Sequence, residues 1–158
     1  MAGSLAIAGD DAATAPPPSG PVHQLVLKDL DGNDVPLAKY AGKPMIIEIW
    51  ATWCGPCRKQ RALMTKLAPE FKDKVVFIAA SVDQNGAPTV KAYLQGKPVC
   101  EQLVELIASP ELRALIAKRE PANTIPKVVY IDSRGSIKDV SASVQTETWM
   151  RAMLKNLR

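Results

Sequence analysis

The sequence predicts an α/β fold in which a central mixed β-sheet is flanked by helices, and three observations carry that reading. The apolar run Met45-Ile46-Ile47-Glu48-Ile49-Trp50 passes within a few residues into an amphipathic segment that begins near Arg58. A second run, Val75-Val76-Phe77-Ile78-Ala79-Ala80, is continuously apolar, as in a parallel strand covered on both faces. The final third holds two short strand patterns around Asp132-Ser133-Arg134-Gly135 and closes with helical periodicity. The resulting order β, α, β, α, β, β, α requires helices packed on a shared sheet.

At 158 residues the chain fits one domain with a sizeable core. Residues 1–21 are small, polar and proline-rich, including Pro16-Pro17-Pro18, and read as a flexible leader before a domain at 22–158. Leu5-Ala6-Ile7-Ala8 is too short for a signal-peptide core, and no basic residue precedes it. The Ala/Pro/Ser-rich composition resembles the linker that follows an export signal or membrane anchor. It favours a periplasmic or otherwise extracytoplasmic protein whose signal or anchor lies outside this sequence, with a cytoplasmic protein as the alternative. The net charge of +4 is mild, and no dense Lys/Arg run or interleaved aromatic pattern points to nucleic acid. No apolar run has transmembrane length.

Val22 to Leu27 alternates as a short strand, and Asp31-Gly32-Asn33 is a turn leading to Val35-Pro36-Leu37, so an N-terminal β-hairpin is expected. Pro36 suits an edge strand. Gly42-Lys43-Pro44 punctuates before the strand at 45–51. Leu63, Leu67 and Phe71 recur at helical spacing, which extends the next helix to about Phe71. The stretch 84–123 reads as a helical insert. Pro88 to Leu94 looks helical, and Leu103-Val104 and Leu106-Ile107 repeat at helical spacing. Ser109-Pro110-Glu111 is a cap with a first-turn proline, starting a helix that runs to about Arg119. Val128 to Ile131 and Ser136 to Val140 form a hairpin. Thr146 to Leu157 closes the chain as an amphipathic helix with Trp149, Met150, Met153, Leu154 and Leu157 inward.

Between the first apolar strand and its helix stands Trp53-Cys54-Gly55-Pro56-Cys57. Two thiols three residues apart at a helix N-terminus form a redox device, because the electropositive end of the helix stabilises a thiolate. Side chains at i and i+3 lie on one face about 5–6 Å apart, so a slightly irregular first turn can close a disulfide. Gly55 permits the sharp turn, and Pro56 fixes φ where a missing N–H does no harm. Cys54, at the very start, is the expected exposed nucleophile, and Cys57 the sheltered resolving thiol. Lowering a thiol from about 8.5 to about 7 needs roughly 2 kcal/mol, within reach of a helix terminus with Arg58 and Lys59 nearby. A zinc half-site is the first alternative, but structural zinc needs four ligands and only Cys100 and His23 remain, at unrelated spacings. A structural disulfide is the second, but a loop this short adds little stability. His23 lies at the edge of the leader and is no catalytic candidate. Cys100 reads as a buried free thiol, with a third redox thiol or an intermolecular disulfide as alternatives.

Trp50-Ala51-Thr52-Trp53-Cys54-Gly55-Pro56-Cys57-Arg58 closely resembles the active-site segment of thioredoxin-fold proteins. The hairpin Leu27-Lys28-Asp29-Leu30-Asp31-Gly32, Gly42-Lys43-Pro44, Ser81-Val82-Asp83 and the long insert before Ile125-Pro126 are similar to the subgroup related to TlpA, ResA and CcmG. The resemblance spans about residues 22–158 and implies a thioredoxin fold and thiol–disulfide chemistry. It also implies a cis-proline turn at Thr124-Ile125-Pro126 that faces the dithiol and receives substrate backbone, where an ordinary trans proline opening a strand is the alternative. Glu48 falls where thioredoxins bury an acid behind the dithiol. Burial raises such an acid and suits it to proton exchange with Cys57, whereas an edge glutamate would reach solvent. Trp53 shields the thiols and offers an apolar contact, or is simply a packed aromatic. Together with Gly55, Pro56, Ile125 and Pro126 it forms the expected substrate-binding set. Two departures stand out: Ala62 occupies the place of a helix-kinking proline, and Lys127 adds an expected rim charge after Pro126.

The function this implies is a disulfide reductase in which Cys54 attacks a partner disulfide and Cys57 resolves it with help from Glu48. The expected partners are disulfide-containing proteins and a regenerating redox protein, with no metal, no organic cofactor and no nucleic acid. A general cytosolic thioredoxin, a disulfide oxidase and a binding or chaperone module remain as alternatives.

Overall fold

Seven strands make one mixed sheet in the computed structural model, which describes residues 20–158. In chain order they are β1 (Val26–Asp29), β2 (Asp34–Pro36), β3 (Met45–Trp50), β4 (Val76–Ser81), β5 (Leu103–Ile107), β6 (Lys127–Ile131) and β7 (Ile137–Ser141). The helices are α1 (Gly55–Leu67), α2 (Ala87–Leu94), α3 (Pro110–Ala117) and α4 (Glu147–Asn156), with 3-10 turns at Pro21–Gln24 and Leu37–Tyr40. The strand order is β2-β1-β5-β4-β3-β6-β7. β3, β4 and β5 run parallel, and β6 and β1 join them antiparallel on either side. This is a thioredoxin-like fold.

The central strands are apolar on both faces because both faces are covered. Ile46 and Trp50 of β3, Phe77 and Ala79 of β4, and Val128 and Tyr130 of β6 pack beneath α1, α2 and α4. Met45, Ile47, Ile49, Ile78, Ala80 and Val129 face the other way, onto α3 and the two 3-10 turns. Each large side chain removed from water in these layers contributes about 1.5–3 kcal/mol.

The structure corrects the sequence reading at several points. The insert is not purely helical, since Leu103–Ile107 is β5, parallel to β4 and antiparallel to β1. Leu103 packs beneath α1 while Leu106 packs towards α3, so the segment is a strand buried on both sides. In so short an apolar run, periodicity does not separate helix from strand. α1 stops at Leu67 because Pro69 has no N–H with which to continue the ladder. The chain proceeds in turns, and Phe71 still reaches the core. Pro21 opens a 3-10 turn where the strand at Val22 was expected to begin, and β1 starts only at Val26. Trp149 is half exposed: Met150 and Leu154, four residues apart, take the centre of the α4 stripe and rotate it to the edge.

Most of the expected leader, residues 1–19, lies outside the described residues. Its last two positions are tied down, since the Gly20 N–H donates to the Arg134 carbonyl at 2.7 Å and Pro21 begins the 3-10 turn. His23 is buried rather than peripheral, its ring pressed onto Gly135. Gly135 has a φ of +84°, and an added Cβ there would sit 2.6 Å from the His23 ring. Among the described residues no helix is long and apolar enough to cross a membrane.

Candidate active site

The dithiol is placed by the junction of β3 and α1. Cys54 is the N-cap of α1, in extended backbone, and its Sγ accepts from the Cys57 N–H at 3.3 Å. Gly55 and Pro56 form the first turn, where unpaired N–H groups point outward. The two cysteines are joined as a disulfide with Cα atoms 5.3 Å apart, inside the range such a bond accepts. α1 is uninterrupted across Ala62.

The order of accessibility matches expectation, but its degree does not. Cys57 is fully enclosed and Cys54 is only 5% exposed. The covering group is the loop before β6, where the Ile125 carbonyl lies 3.8 Å from Cys54 Sγ and the Ile125–Pro126 bond is cis. Trp53 stands beside the pair with 70% of its surface exposed, so it is not a packed core aromatic. A groove bordered by Thr52, Trp53, Val82, Asp83, Arg113, Asn123 and Ile125 lies beside the pair, with Ile125, whose carbonyl covers Cys54, in its wall.

Lys127 is not a rim charge. It is buried beneath the loop, and its Nζ donates to the carbonyls of Ala122 and Glu120. An ammonium group withdrawn from water needs such acceptors. Its role is to fasten the segment that carries Asn123, Thr124 and Ile125.

Asp83 fastens the opposite wall. Its carboxylate accepts from the Thr52 N–H at 3.0 Å, the Thr52 hydroxyl at 2.7 Å and the Ser81 hydroxyl at 2.7 Å. The Thr52 carbonyl in turn accepts from Arg58 at 3.2 Å. This knot fixes the approach to the dithiol by joining the ends of β3 and β4. In the sequence, Ser81-Val82-Asp83 is visible only as part of the family likeness, because the partner Thr52 is 31 residues away.

Glu48 belongs to the layer beneath α1, by alternation with Ile46 and Trp50. It is fully buried, and neither carboxylate oxygen has a hydrogen-bond partner among the described residues. Burial pushes its carboxyl up from 4.5 to about 8; the Arg61 guanidinium opposes the rise and the Glu105 carboxylate adds to it. An edge glutamate reaching solvent is therefore excluded. Arg61 and Glu105 form a partly buried ion pair in which Nη1 bonds Oε2 at 3.2 Å and Nη2 bonds Oε1. Burial also raises Glu105, against the bond from Arg61. Sequence reasoning missed this pair: the two residues are 44 apart, and only the β4–β5 register brings them together.

Cys100 is free and partly buried, with its Sγ 3.8 Å from the Thr65 carbonyl on the flank of α1.

Comparison with known proteins agrees with this geometry. The model of the Redoxin family matches residues 10–157. The thiol-disulfide oxidoreductase ResA of Bacillus thuringiensis subsp. konkukian (strain 97-27) is 40% identical over 136 residues, covering 84% of this chain and 73% of that protein. A thiol:disulfide interchange protein of the thioredoxin family from Chlorobium tepidum TLS superimposes with a TM-score of 0.66 at 26% identity, over 89% of this chain and 94% of that one. DsbF from Mtb superimposes at 0.69 and 21% identity, over 89% and 100%, and adds agreement in fold. The chain belongs to the Redoxin family, in the ResA-like group of thioredoxin-fold thiol–disulfide oxidoreductases.

Proposed function

We propose that this protein is a reductase of disulfides in extracytoplasmic partner proteins. The observation that carries the reading is the Cys54–Cys57 pair at the N-terminus of α1, lying against the Ile125 carbonyl. In the reduced protein the helix N-terminus and the Cys57 N–H favour a Cys54 thiolate. That thiolate attacks one sulfur of the partner disulfide; the other sulfur leaves with the bonding electrons and takes up a proton. Cys57 then loses its proton and attacks Cys54 Sγ, breaking the mixed disulfide and releasing the second partner thiol. The protein gains one disulfide and the partner gains two thiols, so electrons and protons balance.

Glu48 is the group we assign to the Cys57 proton. A carboxyl near 8 is close in basicity to a thiol near 8.5, so transfer between them is nearly level in free energy. Trp53, Gly55, Pro56, Ile125 and Pro126 form the surface for the partner chain, with Trp53 as its apolar contact. The Gly-Pro dipeptide, which resembles that of reducing thioredoxins, favours the reductive direction. The composition of residues 1–21 favours a compartment outside the cytoplasm. A regenerating redox protein must return two electrons after each turnover.

Insulin reduction under dithiothreitol tests the activity. Wild-type protein accelerates precipitation of the insulin chains, and Cys54→Ser abolishes the acceleration. Retained turnover in Cys54→Ser refutes the mechanism. A reduction potential near that of a strong oxidant, about −120 mV, would reverse the direction.

A further inference from the structure

Glu48, Ala79 and Glu105 stand in register across β3, β4 and β5. Residues paired across neighbouring strands project to the same face, and strands lie about 4.8 Å apart. The two glutamates are thus roughly 10 Å apart at the backbone, with only the Ala79 methyl between them. Arg61 of α1 enters this opening. Its guanidinium lies over the Trp50 ring, 4.6 Å from the centroid, and both terminal nitrogens bond Glu105. Two carboxyl groups therefore share one cation, and the cation is committed to the one on β5. Glu48 has no hydrogen-bond partner among the described residues although it is fully buried.

Among the described residues, the other elements over this face add no third charge to Glu48. α1 also brings the Cys54–Cys57 pair, β6 brings Val128 and Tyr130, α2 brings Tyr93, and α4 brings Met150 and Leu154. Burial raises the Tyr130 phenol, so it stays neutral. The charges acting on Glu48 are Arg61 and Glu105.

We propose that Arg61 and Glu105 are positioning residues for the dithiol reaction: Glu105 holds the Arg61 guanidinium in a two-bond pair and so denies it to Glu48, leaving Glu48 free to exchange a proton with Cys57. This rests on the proton-transfer role assigned to Glu48. In the resolving step the Cys57 S–H bond breaks and its proton passes to a Glu48 oxygen. The Cys57 sulfur then bonds Cys54 Sγ, and the partner sulfur departs with the electron pair. An arginine beside a carboxylate lowers its pKa by about 1–3 units. Arg61 turned onto Glu48 would hold it as an anion too weakly basic to take a thiol proton. The Arg61–Glu105 pair prevents that, and stacking on Trp50 fixes the guanidinium in place.

The test follows Glu48 by the ¹³C shift of its carboxyl in oxidised protein, where neither active-site thiol titrates. Glu105→Gln keeps the shape and removes the competing anion, so the Glu48 midpoint falls by about 1–3 pH units as Arg61 turns to it. The pH profile of the resolving step in the reduced protein moves with it. Arg61→Met combined with Glu105→Leu removes both partners, and the midpoint stays at or above that of the wild type. A purely structural pair would change stability in both variants and leave the midpoint in place, so an unmoved midpoint in Glu105→Gln overturns the proposal. Wild-type protein supplies an arm that needs no variant: a Glu48 midpoint in the ordinary carboxylate range means Arg61 already serves it, which also overturns the proposal. Failure of wild-type protein to reduce insulin, with the midpoints moving as stated, removes the reductase reading and leaves the electrostatic arrangement standing. Normal reduction with unmoved midpoints removes the arrangement alone.

Discussion

Replacing Glu48 by Gln should reverse the order of stability between variant and wild type as pH rises. The folded protein holds the Glu48 proton up to about pH 8, whereas the unfolded chain releases it near 4.5. Between those values the folded state binds more protons than the unfolded state, so stability falls as pH rises and levels off above the upper value. At about 1.36 kcal/mol per pH unit, the loss from this one group is about 5 kcal/mol across the interval. The Glu48→Gln variant has no such slope, but its buried amide lacks partners and costs about 1–3 kcal/mol at every pH. The variant is therefore the less stable protein near pH 5 and the more stable one above pH 8, by about 2–4 kcal/mol. Urea unfolding of oxidised protein across this range measures it, and Glu105 titrates in both proteins, so it largely cancels in the comparison. Two stability curves that stay parallel from pH 5 to above pH 8 would refute the burial argument and the acid's proposed match to Cys57.

Two further outcomes follow from the walls of the site. Trp53→Ala should lower kcat/KM towards a protein disulfide about five- to thirty-fold, a loss of about 1–2 kcal/mol for an exposed aromatic anchor, and leave reaction with a small aromatic disulfide nearly unchanged; equal losses on both substrates contradict a docking role. Asp83→Ala strips the shared acceptor from Thr52 and Ser81 and should cost about 2–4 kcal/mol in urea unfolding, against about 0.5 kcal/mol for an ordinary surface change, which would be the contrary result.

The features legible in the sequence are those whose physics is local. A dithiol at a strand-to-helix junction is complete within a few residues, and so is the capped start of α3 at Ser109-Pro110. Glu48 is conspicuous because an acid within an apolar strand has to be explained. What stays hidden depends on register between distant segments. Nothing in the amphipathic pattern of α1 singles out Arg61, whose partner Glu105 is supplied by β5, 44 residues away. Lys127 reads as a surface charge until the carbonyls of Ala122 and Glu120 are seen to receive it. β5 is itself ambiguous because Leu103-Val104-Glu105-Leu106-Ile107 satisfies a helical pattern as well as a two-sided strand. His23 looks peripheral because nothing near it in sequence announces Gly135 as the surface it packs on.

The place of β5 in the sheet also governs the order in which the molecule can be completed. The hairpin of β1 and β2 does not pair with β3 or β4, the strands next in sequence; β1 joins the sheet only through β5, with Lys28 opposite Ile107. During synthesis, β3, α1 and β4 can assemble around the dithiol while the hairpin still has no edge to join. The hairpin therefore enters the sheet only once β5 is in place, and the segment that most resembles an accessory insertion is the one that admits it.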